Sequence, residues 1–258
     1  MPVQGNPSNE DVLRVFHAVA DDVAVALGAV TDWGESGVRR GQYLADLHAD
    51  DVAVARLSAL GVGVLSEESG RTGPAGPPYV VVDPLDGSTN ASRGVPWFAT
   101  ALCLVDDTGP VVGLVANQAS GDRWWAVRGE GAWGPGADGP RSLRASGCDV
   151  AADAIVGISG RPTGEYGWAQ FRALGASALD LCLVASGTLD AFVDMSPSAH
   201  GPWDYLAGTL IAREAGATVV DAHGRELVVD DHLARRTPVA AATATLLEAL
   251  LVTRRQSP

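Results

Sequence analysis

The chain has 258 residues, 47% hydrophobic and 19% charged, the composition of a folded protein with one large domain or two closely joined halves. Thirty-one acidic residues against 18 basic ones give a net charge of −13, which argues against a nucleic-acid groove or an anionic membrane surface as partner, since both select basic patches. Every one of those basic residues is arginine, so there is no P-loop lysine, no kinase-type lysine and no Schiff-base chemistry.

The opening MPVQGNPSNED lacks the basic-then-apolar order of a signal peptide. No apolar run approaches the roughly 18 residues of a membrane span, and a soluble, cytoplasmic protein is expected. Ser8 with Asp11 three residues on resembles a capping box, and Val12, Val15, Phe16 and Val19 form an apolar stripe. Together they predict a helix over 8–28. Residues 31–42 read as a loop, 45–60 as a second helix, and 62–65 as a short strand ending at Ser66-Glu67-Glu68. A Gly/Pro loop over 71–78 precedes a β-branched strand over 79–82 that ends at Asp83. Strands follow at 97–105, 111–117 and 123–128, the first two joined by the turn Asp106-Asp107-Thr108-Gly109. Beyond residue 154 the pattern becomes α/β. Helices are predicted at 176–186 and 205–215, with Gly216 at a helix C-terminus, and strands at 191–194 and 218–221. The tail over 238–255 reads as one Ala/Leu-rich helix. Cys103, Cys148 and Cys182 have no metal or redox spacing and read as small core residues.

Three polar clusters interrupt these apolar runs. Asp83-Pro84-Leu85-Asp86-Gly87-Ser88-Thr89-Asn90 follows a strand directly, where α/β folds bind ligands. Such a turn can offer two carboxylates and a carbonyl to a metal, or backbone N–H groups to an anion. Its aspartates are three apart, not two as in a phosphoaspartyl hydrolase, and the run does not fit an EF-hand. Glu67-Glu68 places adjacent carboxylates at another strand end, where they repel unless a cation offsets them. Trp203-Asp204 enters a helix that closes on Glu214-Ala215-Gly216. Taken singly, each cluster also reads as ordinary structure: a capped turn, a solvated acidic turn, a first-turn helix acid.

In this order the clusters resemble the inositol monophosphatase family, whose pattern is GEES, DPIDGTTN and WDxAAG…EAGG. The stretch from Gly175 to Leu181, with 184–187 and Asp190, is similar to the family's GSAALDLxxVAxGxxD. The resemblance spans about residues 45–216 and implies a layered α/β/α/β/α sandwich, a homodimer, and a metal-dependent, lithium-sensitive phosphomonoesterase. A single domain over 1–258 is expected, with a metal-binding half at about 1–150 and an α/β half at about 151–258. The resemblance puts Glu67, Asp83, the Leu85 carbonyl, Asp86 and Asp204 on the ligands of two or three Mg²⁺ ions. It puts Gly87 and Ser88 on the phosphate, Ser88 with Asp46 (and Glu67) on the nucleophilic water, and Glu68 behind the ligands.

Some positions depart from the family pattern. Ser66 stands for Gly, Ser88 for Thr, Tyr43 for the Thr of TEAD, and the loop over 34–42 lacks the family's lysine. The segment over 194–202 is longer than usual and has no counterpart of the sugar-contacting Glu, which leaves Asp194 and His200 as candidates for the alcohol part of the substrate. The expected substrate is a small phosphate ester, inositol monophosphate or a related polyol or sugar phosphate. The alternatives are 3′-phosphoadenosine 5′-phosphate, histidinol phosphate or fructose bisphosphate, and, in a different class, a binding protein that retains the fold without catalysis.

Overall fold

A computed structural model describes residues 7–39 and 41–255, which leaves most of the opening MPVQGNP and the last three residues outside. Two sheets and three helical layers alternate. Helices α1 (Asn9–Gly28) and α2 (Leu44–Leu57) cover one face of an eight-stranded sheet. The strands of that sheet, in chain order, are β1 (Gly63–Ser66), β2 (Gly70–Thr72), β3 (Tyr79–Asp86), β4 (Ala99–Asp106), β5 (Gly109–Asn117), β6 (Arg123–Val127), β7 (Ala132–Gly134) and β8 (Arg141–Ser142). Their spatial order is β2-β1-β3-β4-β5-β6-β7-β8, with β1 and β3 parallel and the other neighbours antiparallel. A short helix, α3 (Ser88–Ser92), follows β3.

The second sheet contains β9 (Ile155–Ser159), β10 (Gln170–Arg172), β11 (Ala191–Asp194), β12 (Thr218–Asp221) and β13 (Pro238–Ala241), in the order β10-β9-β11-β13-β12. Helices α4 (Ser177–Ala185) and α5 (Pro202–Glu214) lie between the sheets, and α6 (Ala244–Arg255) covers the far side of the second. The layers run α/β/α/β/α, as the resemblance implies.

Period-two alternation builds these layers. Along β3, Val80 and Val82 point into the α1/α2 core, while Tyr79 and Val81 point toward α4 and α5. Leu102 and Leu104 of β4 share the first core, and Ala99, Ala101, Cys103 and Val105 the second. Strands buried on both faces have no polar alternation, which is why they read as continuous apolar runs. The close crossing of α4 and α5 needs Gly208, where a Cβ would sit 2.7 Å from Leu181 Cβ.

Most predicted elements are present, several with altered ends. Ser8 caps α1, its Oγ accepting the Asp11 N–H at 3.1 Å. Gly216, just beyond α5, has φ +93°. The loop over 71–78 begins as β2. The strand expected to stop at Asp83 continues to Asp86 through a bulge, where Asp83 faces Ala101 and Asp86 faces Ala99. The tail is not one helix. Pro238–Ala241 is a fully buried strand in the second sheet, and the helix starts at Ala244, with Thr243 Oγ1 accepting the Leu246 N–H. Alanine fits a strand packed between two helical layers as well as a helix, so composition did not separate the two.

Cys103 and Cys182 are buried and Cys148 partly so, all unpaired. No described helix is long and apolar enough to cross a membrane.

Candidate metal centre

The bulge in β3 creates the site. In a regular strand, residues three apart face opposite sides; the extra residue opposite Ala101–Ala99 brings Asp83 and Asp86 round to one end of the sheet. Asp83 Oδ1 accepts the Leu85 N–H at 3.0 Å, which closes the turn over Pro84 and Leu85, the two residues with no register partner on β4. Asp86 Oδ2 accepts the Ala178 N–H at the start of α4, at 2.8 Å. Gly87 then turns with φ +85°, and a Cβ there would lie 3.0 Å from the Trp97 carbonyl and 3.1 Å from Ala176 Cβ. Ser88 starts α3, whose first N–H groups have no partner within the helix.

Glu67 arrives from the end of β1 and Asp204 from the first turn of α5. Oxygen atoms of Glu67, Asp83 and Asp204 lie within 4.8 Å of one another. Asp204 Oδ2 accepts the Gly201 N–H at 2.6 Å, so this residue is both a first-turn helix acid and a member of the cluster. The two readings of Asp204 are compatible because a carboxylate has two oxygens.

This arrangement is unfavourable without a cation. Burial and the charge of Asp204, then Glu68, push the Glu67 carboxyl up to about 8. Asp83 and Asp86 are also driven well above the usual carboxylate range, by burial first and by neighbouring carboxylates second. Asp83 Oδ2 is buried with no hydrogen-bond partner. A buried acceptor without a donor, beside two more carboxylates, fits a hard divalent cation with oxygen ligands. Glu67, Asp83 and Asp204, with oxygen atoms within 4.8 Å of one another, are placed to hold one.

The electrostatics predict a pH signature for the ion-free protein. Glu67 ionises near 4.5 when unfolded and near 8 when folded. Its folded form therefore binds the extra proton, and the stability it contributes, full below pH 4.5, is lost as pH rises to about 8. With 29% of the side chain open to solvent, the loss is about 2 kcal/mol rather than the full shift. In EDTA the melting temperature should be lower at pH 8 than at pH 5 by about 4–8 °C, and Mg²⁺ should close that gap. Equal melting temperatures at both pH values in EDTA would contradict this.

Asp46, on α2, borders the cluster. Its Oδ2 accepts the Tyr43 N–H at 2.7 Å. Burial raises its pKa, and the Tyr43 N–H and the nearby Ser88 hydroxyl lower it, leaving it at about 6. Asp46 and Ser88, 42 residues apart in the chain, are therefore brought near each other. Glu68 stands beside the cluster with each oxygen engaged by the loop: Arg39 meets its Oε1 at 2.6 Å and Gln42 its Oε2.

The structure pairs the two candidates for the alcohol contact with each other. Asp194 is fully buried at the end of β11, with Oδ1 accepting the Ser196 N–H and Oδ2 paired with His200 Nδ1 at 2.8 Å. His200 Nε2 lies 2.7 Å from Ser177 Oγ. Burial lowers the His200 pKa, but the Asp194 hydrogen bond and the charges of Asp204, Asp194 and Asp86 outweigh it and bring it to about 9. The chain Asp194–His200–Ser177, with the Ser196 N–H, gives each polar atom of both side chains a protein partner. Asp194→Ala is accordingly expected to act on stability, at about 3–5 kcal/mol for a buried partner left unpaired. A urea melt checks this; a variant as stable as the wild type but with altered KM would restore the substrate-contact reading.

Sequence reasoning missed Arg39, Gln42, Ser177 and His232, whose Nε2 lies 2.9 Å from the Glu67 carbonyl. Arg39 had a signal: it is a cation in the loop where a lysine was sought and not found. His232 had none, since only the fold brings residue 232 to residue 67.

Comparison with known proteins follows the same lines. A family model described as the inositol monophosphatase family matches residues 42–258. A fructose-1,6-bisphosphatase/inositol-1-monophosphatase of Thermococcus kodakarensis is 36% identical over 216 residues, covering 83% of this chain and 82% of the relative. An inositol-1-monophosphatase of Mesorhizobium japonicum is 34% identical over 210 residues, covering 74% and 76%. Among solved structures, a Pyrococcus horikoshii protein described as having similarities to inositol-1 monophosphatase superimposes with a TM-score of 0.84 at 26% identity, over 95% of this chain and 99% of that one.

Proposed function

The chain belongs to the inositol monophosphatase family, and from that premise we propose that it is a Mg²⁺-dependent phosphomonoesterase whose substrate is inositol monophosphate or a related polyol or sugar phosphate. The observation that carries the metal reading is the unpartnered Asp83 Oδ2 among carboxylates held within 4.8 Å. When bound, divalent ions supply Lewis acidity to the phosphoryl oxygens and lower the pKa of water. Four carboxylates, from Glu67, Asp83, Asp86 and Asp204, offset the charge of about two such ions.

The chain's own groups supply the rest. In this reading the N–H groups of Gly87 and Ser88, at the start of α3, receive the phosphate oxygens. On the same reading the Ser88 hydroxyl, near Asp46, accepts a proton from the attacking water and passes its own toward that carboxylate, whose pKa burial raises to about 6. Trp97 Nε1 donates to Asp180 at 2.9 Å, and Asn90 Nδ2 donates to the carbonyls of Trp97 and Leu174; these bonds fasten the phosphate turn to the second half of the chain. Li⁺ inhibition and a homodimer belong to the same proposal.

A phosphate-release screen over inositol 1-phosphate, histidinol phosphate, 3′-phosphoadenosine 5′-phosphate and fructose 1,6-bisphosphate tests the substrate class. The expected result is highest kcat/KM on the polyol or sugar esters. A preference of tenfold or more for the nucleotide or for histidinol phosphate would reassign the substrate within the family.

A further inference from the structure

The loop over 31–42 is tied down at the edge of the metal centre. Arg39 Nη2 lies 2.6 Å from Glu68 Oε1 and 3.2 Å from Glu67 Oε1. Gln42 Nε2 donates to Glu68 Oε2, and Ser36 Oγ donates to Gln42 Oε1. Both oxygens of Glu68 are therefore taken by the loop, and its side chain is only 4% exposed. Glu68 is an anchor for Arg39. The Arg39 side chain, 41% exposed, reaches Glu67, while Asp83 and Asp86 are buried.

Charge balance gives this placement a consequence. Five carboxylates, Glu67, Glu68, Asp83, Asp86 and Asp204, meet here. About two divalent ions and one guanidinium cancel them. A further divalent ion bound to Glu67 Oε1 would sit against Arg39, like charge against like charge, on the oxygen that Arg39 already engages. The guanidinium also has N–H donors beyond those spent on the two glutamates, in a fork that matches a phosphate.

We propose that Arg39, anchored by Glu68 and Gln42, is the standing cation on the outer side of Glu67: it limits the centre to about two divalent ions and supplies to the substrate phosphate the charge of a third. This deepens the metallophosphatase reading and rests on it. Arg39 would touch the phosphate and is to that extent a substrate-binding residue, while Glu68 and Gln42 position it.

Ion counting on the full chain separates this inference from the reading beneath it. Mn²⁺ is titrated in the presence of inorganic phosphate, with free Mn²⁺ followed by electron paramagnetic resonance. The wild type should saturate at about two ions per chain, Arg39→Ala at about three, and Arg39→Lys at about two, since lysine keeps the charge. Phosphate affinity should fall by about tenfold in Arg39→Ala while only the first two sites are filled, and recover as the third fills. Saturation of the wild type at about three, or of Arg39→Ala at about two, overturns the role of Arg39. A wild type that binds no Mn²⁺ overturns the metallophosphatase reading itself.

Discussion

Asp86→Asn is expected to lower kcat/KM by about 10³-fold, roughly 4 kcal/mol of lost transition-state stabilisation, at saturating Mg²⁺. The substitution is nearly isosteric, and its amide oxygen can still accept the Ala178 N–H that Asp86 Oδ2 accepts at 2.8 Å. The start of α4 therefore keeps its partner, and the loss falls on charge alone. The same change should make the ion-free protein more stable. Asp86 is held well above the ordinary carboxylate range by burial and by Asp204, and an uncharged residue feels neither. Thermal melts should show a higher melting temperature in EDTA and a smaller upward shift on adding Mg²⁺. A group that costs stability in the apo state and supports turnover in the loaded state is the mark of a functional residue. Wild-type turnover in Asp86→Asn would remove Asp86 from the metal assignment.

Ser88→Ala is expected to cost about 10²-fold or more in kcat, and Ser88→Thr almost nothing. Only the hydroxyl is at stake: it lies near Asp46, whose carboxyl is raised by burial and partly restored by the Tyr43 N–H and the Ser88 hydroxyl, to about 6. Asp46 must be ionised to draw a proton through Ser88. The wild-type rate should therefore rise with pH through about 6 and level off above it. In Ser88→Ala that acid limb should flatten, because the link between water and Asp46 is gone. Equal rates for the Ala and Thr variants would remove Ser88 from proton transfer and leave only its N–H on the phosphate.

The legible part of this protein is where local sequence does local work. The capping of α1 by Ser8, the strand before Asp83 and the turn after Gly216 follow from residues within a few positions of each other. The three acidic clusters were legible because carboxylates at the ends of apolar strands are costly without a ligand. What was not legible depends on distant partners. Pro238–Ala241 becomes a strand because β11 and β12 flank it, not because of its composition. The bulge that joins Asp83 to Asp86 is set by Ala99 and Ala101 on the neighbouring strand. Asp194 and His200 looked like substrate contacts in a loop of unusual length. Their mutual pairing, and the third member Ser177, appear only once α4 is packed beside β11. Arg39 was visible as an arginine, but its grip on Glu67 and Glu68 was not.

The central claim is that buried carboxylates from three strand or helix ends form a metal-dependent phosphate-ester site. Phosphate release from inositol 1-phosphate by chelator-treated protein, followed as Mg²⁺ is added back, tests it most directly. Release should be absent without the ion, appear with Mg²⁺, and stay near the baseline for Asp86→Asn across the same titration. Release that is independent of Mg²⁺, or undiminished in Asp86→Asn, would contradict the account.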